Sequence, residues 1–211
     1  MLDNGNGLMF MPGEDWRRER KMKTHALNQK YNALTEYQPE ERKEILREIL
    51  GELNENVTLS GPITFHYGIH TKIGRNTFIN FNFTCQDDTT VEIGEGCDFG
   101  PNVTIATAMH PMLSDERRAL MCPDGVERRL CYALPVKIGK NCWIGANVVI
   151  LPGVTIGDGC VIGAGSVVTR SIPENSFAAG NPCRVKRTLS DADSMANKPE
   201  ILGDCSVIVN K

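Results

Sequence analysis

A six-residue repeat of aliphatic side chains is the feature that most restricts how this chain can fold. Between residues 138 and 168 an isoleucine or valine recurs at every sixth position without a slip: Ile138, Ile144, Ile150, Ile156, Ile162 and Val168. Small side chains stand four residues after the first five of these positions: Cys142, Val148, Val154, Cys160 and Ser166. The same phase appears upstream, with a two-residue slip near "QDDTT": Ile73, Ile79, Ile93, Phe99 and Ile105.

This period predicts a parallel β-helix. Side chains alternate between the two faces of a strand, so the aliphatic position and the small position before it point inward, while the residue between them points out. Three short strands and three corners make a triangular coil of about eighteen residues, and stacked coils bury the aliphatic column. The spacing leaves the handedness open. Cys97, Cys142 and Cys160 take the small inward position, so we expect them to fill the core rather than to serve in catalysis or metal binding.

His110 and Trp143 both take the outward position of their hexads. The repeat stops at His110 and resumes at "VKIGKNCWIG", after an inserted loop at residues 111–135. An outward tryptophan needs a ligand or another subunit to cover it. A histidine beside a long loop is free to take part in chemistry, which makes His110 the first candidate for a catalytic residue.

The chain divides into three segments. Residues 1–56 predict a helical cap, with one helix through "WRRERKMKTHALNQKYNAL" and a second from near Pro39 to Gly51. Residues 57–187 are expected to form the β-helix, interrupted by the loop at 111–135. Residues 188–211 form a tail that is polar until "CSVIVN".

Composition narrows the classes of partner. The net charge of −3 over 211 residues argues against nonspecific nucleic-acid binding, which needs an excess of Lys and Arg. No apolar run has the length of a signal peptide or a membrane span, so we expect a cytoplasmic protein without membrane contacts. The eight cysteines include no CxxC pair, and we expect reduced thiols rather than a disulfide framework.

The ordered series of motifs resembles the hexapeptide-repeat acyltransferases, and within them the maltose and galactoside O-acetyltransferase group, which includes the nodulation acetyltransferases. The motifs are "YGIHTKIGRNTFINFN", "VEIGEGCDFGPNVTI", "MHP", "PVKIGKNCWIGANVVILPGVTIGDGCVIGAGSVVT" and "AAGNPCRV". The resemblance implies a mainly β protein, a left-handed parallel β-helix with a short N-terminal helical segment, that assembles as a homotrimer. It also implies transfer of an acetyl group from acetyl-CoA to a sugar hydroxyl, in a groove between subunits.

The resemblance assigns roles to residues around the acceptor. His110 matches the family's catalytic histidine, and an imidazole has the unperturbed pKa that suits a general base near neutral pH. Asn80 and Asp88 match acceptor-binding positions, and His66 lies in the same region. The Ala146 N–H matches a backbone donor that stabilises negative charge on the carbonyl oxygen of the thioester.

The resemblance also assigns a cofactor side. Trp143 matches a residue that borders the pantetheine arm, and Ala164 and Thr169 match positions whose backbone contacts CoA. Guanidinium groups have the fork geometry that phosphate takes, so three arginines are candidates for the CoA phosphates: Arg170, Arg184 and Arg187. Acetyl-CoA is the expected co-substrate. No metal is expected, because His66 and His70 lie in strand and corner, where a spacing of four does not pair ligands.

Three departures from the family lie on the acceptor side. The family has an N-terminal acceptor aspartate, and here Asp15 is nearby but out of register. His66 stands where galactoside enzymes have a serine, and the loop at 111–135 is longer than theirs. The sequence therefore identifies the acceptor substrate less closely than the acetyl donor.

Other functions stay open at this point. The fold and donor could serve another acceptor, as in the xenobiotic (streptogramin) and serine acetyltransferases. A γ-type carbonic anhydrase holds zinc with three histidines, whereas this chain has four histidines and none pairs with another in the repeat phase. A non-catalytic solenoid is the remaining alternative, although it has no reason to interrupt its coils at a histidine.

Overall fold

The computed structural model describes residues 8–11, 15–122 and 125–202. Most of them form a parallel β-helix with three sheets as its sides, covered at the N-terminal end by two helices. The parallel β-helix predicted from the hexads is confirmed.

The chain passes through the three sheets in turn. The first sheet contains β2 (Glu52–Leu53), β5 (Thr71–Ile73), β8 (Val91–Ile93), β14 (Val136–Ile138) and β17 (Thr155–Ile156). The second contains β3 (Thr58–Leu59), β6 (Phe78–Ile79), β9 (Asp98–Phe99), β15 (Trp143–Ile144), β18 (Val161–Ile162), β20 (Ser176–Ala179) and β21 (Arg184–Thr188). The third contains β4 (Ile63–Phe65), β7 (Phe83–Gln86), β10 (Thr104–Ala106), β16 (Val149–Ile150) and β19 (Val167–Val168).

The aliphatic positions stack in register inside the helix. β8 and β14 align Ile93 with Ile138, and β9 and β15 align Phe99 with Ile144. The three cysteines at the small inward position are buried as well: Cys97, Cys142 and Cys160. Each thiol donates to a carbonyl of the next coil, as Cys97 Sγ does to Gly139 O at 3.1 Å. The prediction that these cysteines fill the core is confirmed.

The helical cap provides hydrogen-bond partners for backbone groups at the N-terminal end of the β-helix. α1 (Asp15–Ala33) lies along β4, the edge strand of the third sheet. Asn28 Nδ2 donates to Phe65 O at 2.8 Å, while Asn32 donates to Ile63 O at 2.8 Å and accepts from Ile63 N at 2.7 Å. These side chains take the place of a further strand, which protects backbone groups that an edge would leave unpaired.

α2 (Pro39–Ile49) closes the same end beside the second sheet. Its Arg42 is buried and donates to Leu59 O at 2.9 Å, with the guanidinium carbon 4.5 Å from the ring centre of Tyr31.

Among the described helices, none combines the length and the hydropathy that a membrane-spanning helix requires.

The described part of the inserted segment 111–135 pairs with a strand near the N-terminus. It contains α3 (Ser114–Arg117), β12 (Ala119–Met121) and β13 (Glu127–Ala133), and β13 pairs with β11 (Ala108–Met109) in an antiparallel sheet. β1 (Leu8–Met11) lies on the other side of β13, with Phe10 opposite Leu130. The segment 1–56, expected to be a helical cap, thus contains two described strands, β1 and β2, and β2 already belongs to the first sheet of the β-helix. The partner of β1 lies far along the chain, so no local pattern could reveal that pairing.

The described residues that follow the last coil fold back on it. β21 pairs antiparallel with β20, and two 3-10 turns follow at Asp191–Asp193 and Met195–Asn197 before α4 (Pro199–Leu202). The "CSVIVN" part of the expected tail lies outside the described residues.

Three irregular connections stack along one edge of the β-helix, where the third sheet leads into the first. Phe65 to Ile73 and Cys85 to Ile93 span eight positions instead of six, and the insertion follows Ile105 one coil later. We call residues 66–70, 87–90 and 107–135 the loop edge. The described connections that are longer than a hexad therefore lie on one edge, and the connection from Val168 to Ile172, which is two positions short, follows on the same edge.

Candidate active site

The loop edge carries His66, Asp88 and His110, three of the residues assigned to catalysis and acceptor binding. His110 directly follows β11, and its ring is exposed, which confirms the outward placement predicted from its hexad position. Its Nδ1 lies 3.4 Å from the carbonyl oxygen of Leu130 in β13. With the proton on Nδ1, the ring donates a long hydrogen bond to this carbonyl and Nε2 keeps its lone pair.

The two neighbouring aspartates at this edge have different environments. Asp87 is fully buried, and its carboxylate accepts from Tyr67 N at 2.8 Å, Gly68 N at 3.1 Å and Thr71 Oγ1 at 2.9 Å. Its backbone carbonyl lies 2.8 Å from Nδ1 of His70. Asp87 and His70 therefore hold the loop edge together and have a structural role.

Asp88, unlike Asp87, has a carboxylate oxygen that accepts no hydrogen bond from the described residues. It is 2% exposed, and its Oδ2 has no hydrogen bond within the described residues. Burial, followed by the charge of Asp87, raises the pKa of Asp88 to about 6, against the opposing effect of Arg17 and Lys21. A buried carboxylate oxygen without a partner is costly unless a ligand hydroxyl or water satisfies it.

His66 lies between α1 and Asp88. Its ring centre is 5.5 Å from that of His25 and 4.7 Å from that of Tyr67, and its Nε2 lies 3.9 Å from Asp88 Oδ1. Burial, followed by the charges of Lys21 and His25, lowers the pKa of His66 to about 4. At neutral pH a neutral imidazole therefore faces the carboxylate of Asp88.

α1 also contributes to this edge, which was not predicted from the sequence. Arg17 is buried, with its guanidinium carbon 5.8 Å from the ring centre of Tyr67. Lys21 and His25 follow at steps of four residues and so share the Arg17 face of the helix. That basic i, i+4 spacing was a usable signal. Asp15 begins α1, and its side chain lies outside the described residues.

The cofactor candidates lie elsewhere on the chain. Trp143 points out of the second sheet and is 58% exposed, as its hexad position predicted. In the same column of that sheet, Val161 stands opposite Trp143, Phe177 opposite Val161 and Arg187 opposite Phe177. We call these four residues the Trp143 column. It presents two aromatic side chains and an aliphatic one, and ends at a cation.

Ala146 and Ala164 lie at the corner between the second and third sheets. The chain passes so closely there that a Cβ on Gly145 would lie 2.6 Å from Ala164 N. The Ala146 N–H has no hydrogen bond among the described residues, which leaves it free to act as a donor. Asn80 lies at the same corner two coils earlier, where its N–H donates to Phe99 O at 3.1 Å.

The remaining candidates are divided between two places. Thr169 and Arg170 are exposed where the last coil leaves the third sheet, on the side of the loop edge. Arg184 begins β21 and donates to Cys183 O at 2.8 Å. A single chain therefore joins His66, Asp88 and His110 along one edge and carries Asn80, Trp143, Ala146 and Ala164 along another.

The described residues contain no group of three or more His, Cys, Asp or Glu side chains that could hold a metal ion. The seven cysteines that the structure describes are free thiols.

Comparisons with known proteins place the chain among acetyltransferases. Residues 135–170 match the bacterial transferase hexapeptide (six repeats) family, and residues 6–54 match the maltose acetyltransferase hexapeptide capping motif. The galactoside O-acetyltransferase of Escherichia coli (strain K12) is 41% identical over 175 residues, which cover 83% of this chain and 82% of that protein.

Two solved structures share the fold over most of their length. A galactoside acetyltransferase in complex with coenzyme A has a TM-score of 0.81 and 39% identity, covering 90% of both chains. A maltose O-acetyltransferase from Clostridium difficile 630 has a TM-score of 0.76 and 37% identity, covering 84% of this chain and 90% of that one. The chain belongs to the hexapeptide-repeat acetyltransferases, in the group with the maltose acetyltransferase capping motif.

Proposed function

We propose that this protein transfers the acetyl group of acetyl-CoA to a hydroxyl group of a sugar of the galactoside or maltose and glucose type. The observation that carries the proposal is the composition of the loop edge. An exposed imidazole, His110, shares that edge with a buried carboxylate, Asp88, one oxygen of which has no partner among the described residues. The names of the relatives, which act on galactosides and maltose, support the same substrate class.

His110 acts as the general base in this proposal. The carbonyl of Leu130 favours the proton on Nδ1, so Nε2 can take the proton of the acceptor hydroxyl as its oxygen attacks the thioester carbonyl. The Ala146 N–H donates to the carbonyl oxygen as it gains negative charge. The new C–O bond forms, the C–S bond breaks, and the imidazolium returns its proton to the departing thiolate.

Asp88 and His66 bind the acceptor. The free oxygen of Asp88 accepts a hydrogen bond from a sugar hydroxyl, and the neutral imidazole of His66 offers a further donor or acceptor beside it. Asn80 contributes from the other edge. Asp15 is a candidate for the same site because it begins α1, whose Arg17 lies beside Tyr67 of the loop edge.

The division of the candidates between two edges supports an active site shared between chains. We assign the loop edge of one copy and the Trp143 side of a neighbour to a common groove in a homotrimer. In that groove Trp143, Val161 and Phe177 line the pantetheine arm, Ala164 and Thr169 contribute backbone contacts, and Arg170, Arg184 and Arg187 meet the phosphates. The free thiols of the described cysteines fit a reducing compartment, so the proposal places the enzyme in the cytoplasm.

The proposal is tested by turnover of acetyl-CoA with a panel of glucose, maltose, an alkyl galactoside, serine and a streptogramin. Acetylated product is measured by mass spectrometry, because the protein's own thiols disturb assays of released CoA. His110→Ala is expected to fold and to lose roughly a hundred- to ten-thousand-fold in turnover. Tyr37→Ala, which removes a fully exposed ring at the turn between α1 and α2, is the control. If only serine or the streptogramin is acetylated, the proposed sugar acceptor is wrong. If the protein does not bind acetyl-CoA, the proposed acetyltransferase activity is wrong.

A further inference from the structure

Arg187, the last residue of the Trp143 column, is paired with a carboxylate from the segment that follows β21. Its Nη1 donates to Asp193 Oδ2 at 2.6 Å and its Nη2 to Asp193 Oδ1 at 2.5 Å, so both oxygens of Asp193 are engaged by one guanidinium group. The same guanidinium lies 5.5 Å from the ring centre of Phe177. Arg187 is the cation of β21 for which the described residues show an ion pair.

Asp193 is itself held in place. Its Oδ2 accepts from Ser190 N at 3.0 Å in a capping box that closes the 3-10 turn Asp191–Asp193. The hydrogen bonds from Arg187 and Ser190 lower the pKa of Asp193 to about 2, so the carboxylate is ionised throughout the neutral range. The pair is solvent-exposed, which keeps it weak enough to exchange partners.

A carboxylate held by both nitrogens of an arginine occupies the position that a phosphate group would take, since guanidinium binds both anions in the same bidentate way. The site lies at the end of a column of apolar side chains, Trp143, Val161 and Phe177, which suits a ligand with an apolar arm and an anionic end. Acetyl-CoA has that construction.

We propose that Asp193 is an internal competitor for the phosphate groups of acetyl-CoA at Arg187, and so determines how strongly the enzyme prefers a phosphate-bearing thioester donor. The inference rests on the proposed function, in which Arg187 meets CoA. When CoA binds, Arg187 exchanges Asp193 for phosphate, and the lost pair subtracts from the binding free energy. The carboxylate also repels the arriving phosphate, so both effects have the same sign.

The test is Asp193→Asn, which keeps the size of the side chain and an oxygen that can accept from Ser190 N. Asp191→Asn is the matched control, because it removes an equal charge from the same turn without touching Arg187. The KM for acetyl-CoA of Asp193→Asn is expected to fall roughly threefold, because an exposed ion pair competes only weakly with the arriving phosphate. The turnover number should stay the same, and Asp191→Asn should behave like the wild type.

Acetyl donors that lack phosphate groups show whether the fall in KM depends on a phosphate at Arg187. With acetyl-pantetheine, which carries no phosphate, Asp193→Asn and the wild type should have equal KM values. 3′-Dephospho-acetyl-CoA identifies the phosphate involved: the fall in KM disappears if the 3′-phosphate meets Arg187, and persists if the diphosphate does. In an Arg187→Gln background, Asp193→Asn should have no further effect.

Several results would overturn the inference. A KM for acetyl-CoA that rises or stays constant in Asp193→Asn would show that Asp193 orients Arg187 or has no part in donor binding. An equal fall in the KM of Asp193→Asn for acetyl-pantetheine would show that the effect does not depend on a phosphate at Arg187. An equal fall in the KM of Asp191→Asn for acetyl-CoA would show the same. These outcomes leave the acetyltransferase intact, whereas a wild-type protein that fails to bind acetyl-CoA would refute the proposed function itself.

Discussion

The Nε2 atom of His66 lies 3.9 Å from Oδ1 of Asp88, where Asp88 is buried and His66 is half-buried. Burial penalises the charged form of each group, so it raises the pKa of Asp88 to about 6 and lowers that of His66 to about 4. At pH 7 the carboxylate is ionised and the imidazole is neutral. The pair is therefore a charged acceptor beside a neutral ring, an arrangement suited to polar hydroxyl groups.

Asp88→Asn is expected to stabilise the protein while it weakens acceptor binding. The folded-state pKa of about 6 lies above the ordinary value of 3.8, so the folded state binds the proton more tightly and ionisation costs stability as pH rises from about 4 to 6. Asparagine avoids that cost, and the free energy of unfolding should rise by roughly 1–3 kcal/mol at pH 7.5 and by much less at pH 4. Urea unfolding at the two pH values measures the difference.

Asp87→Asn is the matched control for this experiment. Burial raises the pKa of Asp87 as well, but its carboxylate accepts hydrogen bonds from Tyr67 N, Gly68 N and Thr71 Oγ1, which oppose that rise. Asp87→Asn should therefore raise the free energy of unfolding at pH 7.5 by less than Asp88→Asn does. A loss of stability in Asp88→Asn at that pH would contradict the interpretation of its burial.

His66→Ala tests the acceptor side without touching the donor side. The imidazole fills the space between His25, Tyr67 and Asp88, and alanine leaves the Asp88 carboxylate without its neighbour. The KM for the sugar should rise about tenfold, in keeping with one lost hydrogen bond at a buried site. The KM for acetyl-CoA should stay constant. Equal changes in both constants would mean that His66 supports the fold rather than the acceptor.

Deletion of residues 1–11 removes β1, which holds β13 on the side opposite β11. Because the Leu130 carbonyl of β13 faces Nδ1 of His110, a loosened β13 should leave the base less well oriented. The turnover number should fall about tenfold with little change in the KM for acetyl-CoA. Deletion of residues 1–7, which retains β1, is the control. If both deletions retain full turnover, β1 has no part in positioning His110.

Gly145→Ala tests the close approach of the coils beside Ala146. The added Cβ would lie 2.6 Å from Ala164 N and 2.8 Å from Ile162 O, so the corner must shift at a cost of roughly 1–3 kcal/mol of stability. Gly157→Ala, whose Cβ would meet the backbone N of Glu174 at a different corner, should cost a similar amount. Thermal unfolding compares the two variants. Of the two, Gly145→Ala should also lower the turnover number, and equal turnover would argue against Ala146 as the donor.

The hexad phase was enough to predict the coils and the direction of most side chains. Ile138 and Ile144 are buried as expected, Cys142 fills the core, and Trp143 and His110 point outward. These features depend on the alternation of side chains along short strands, which is a local property that one coil repeats in the next. The helices of the cap follow in the same way from local signals such as Pro39 at the start of α2.

The amino-acid sequence by itself thus determined the solenoid, its core and the outward position of the candidate base. Only the tertiary structure decided which distant residues meet: the His66 imidazole with the Asp88 carboxylate, β1 with β13, and Arg187 with Asp193. The hexad pattern does not predict these contacts, because they are made by irregular segments that have no repeat. The stacking of the coils decides which residues lie next to such a segment. The division of the candidate site between two edges has the same origin, since it follows from the three-sided winding of the chain.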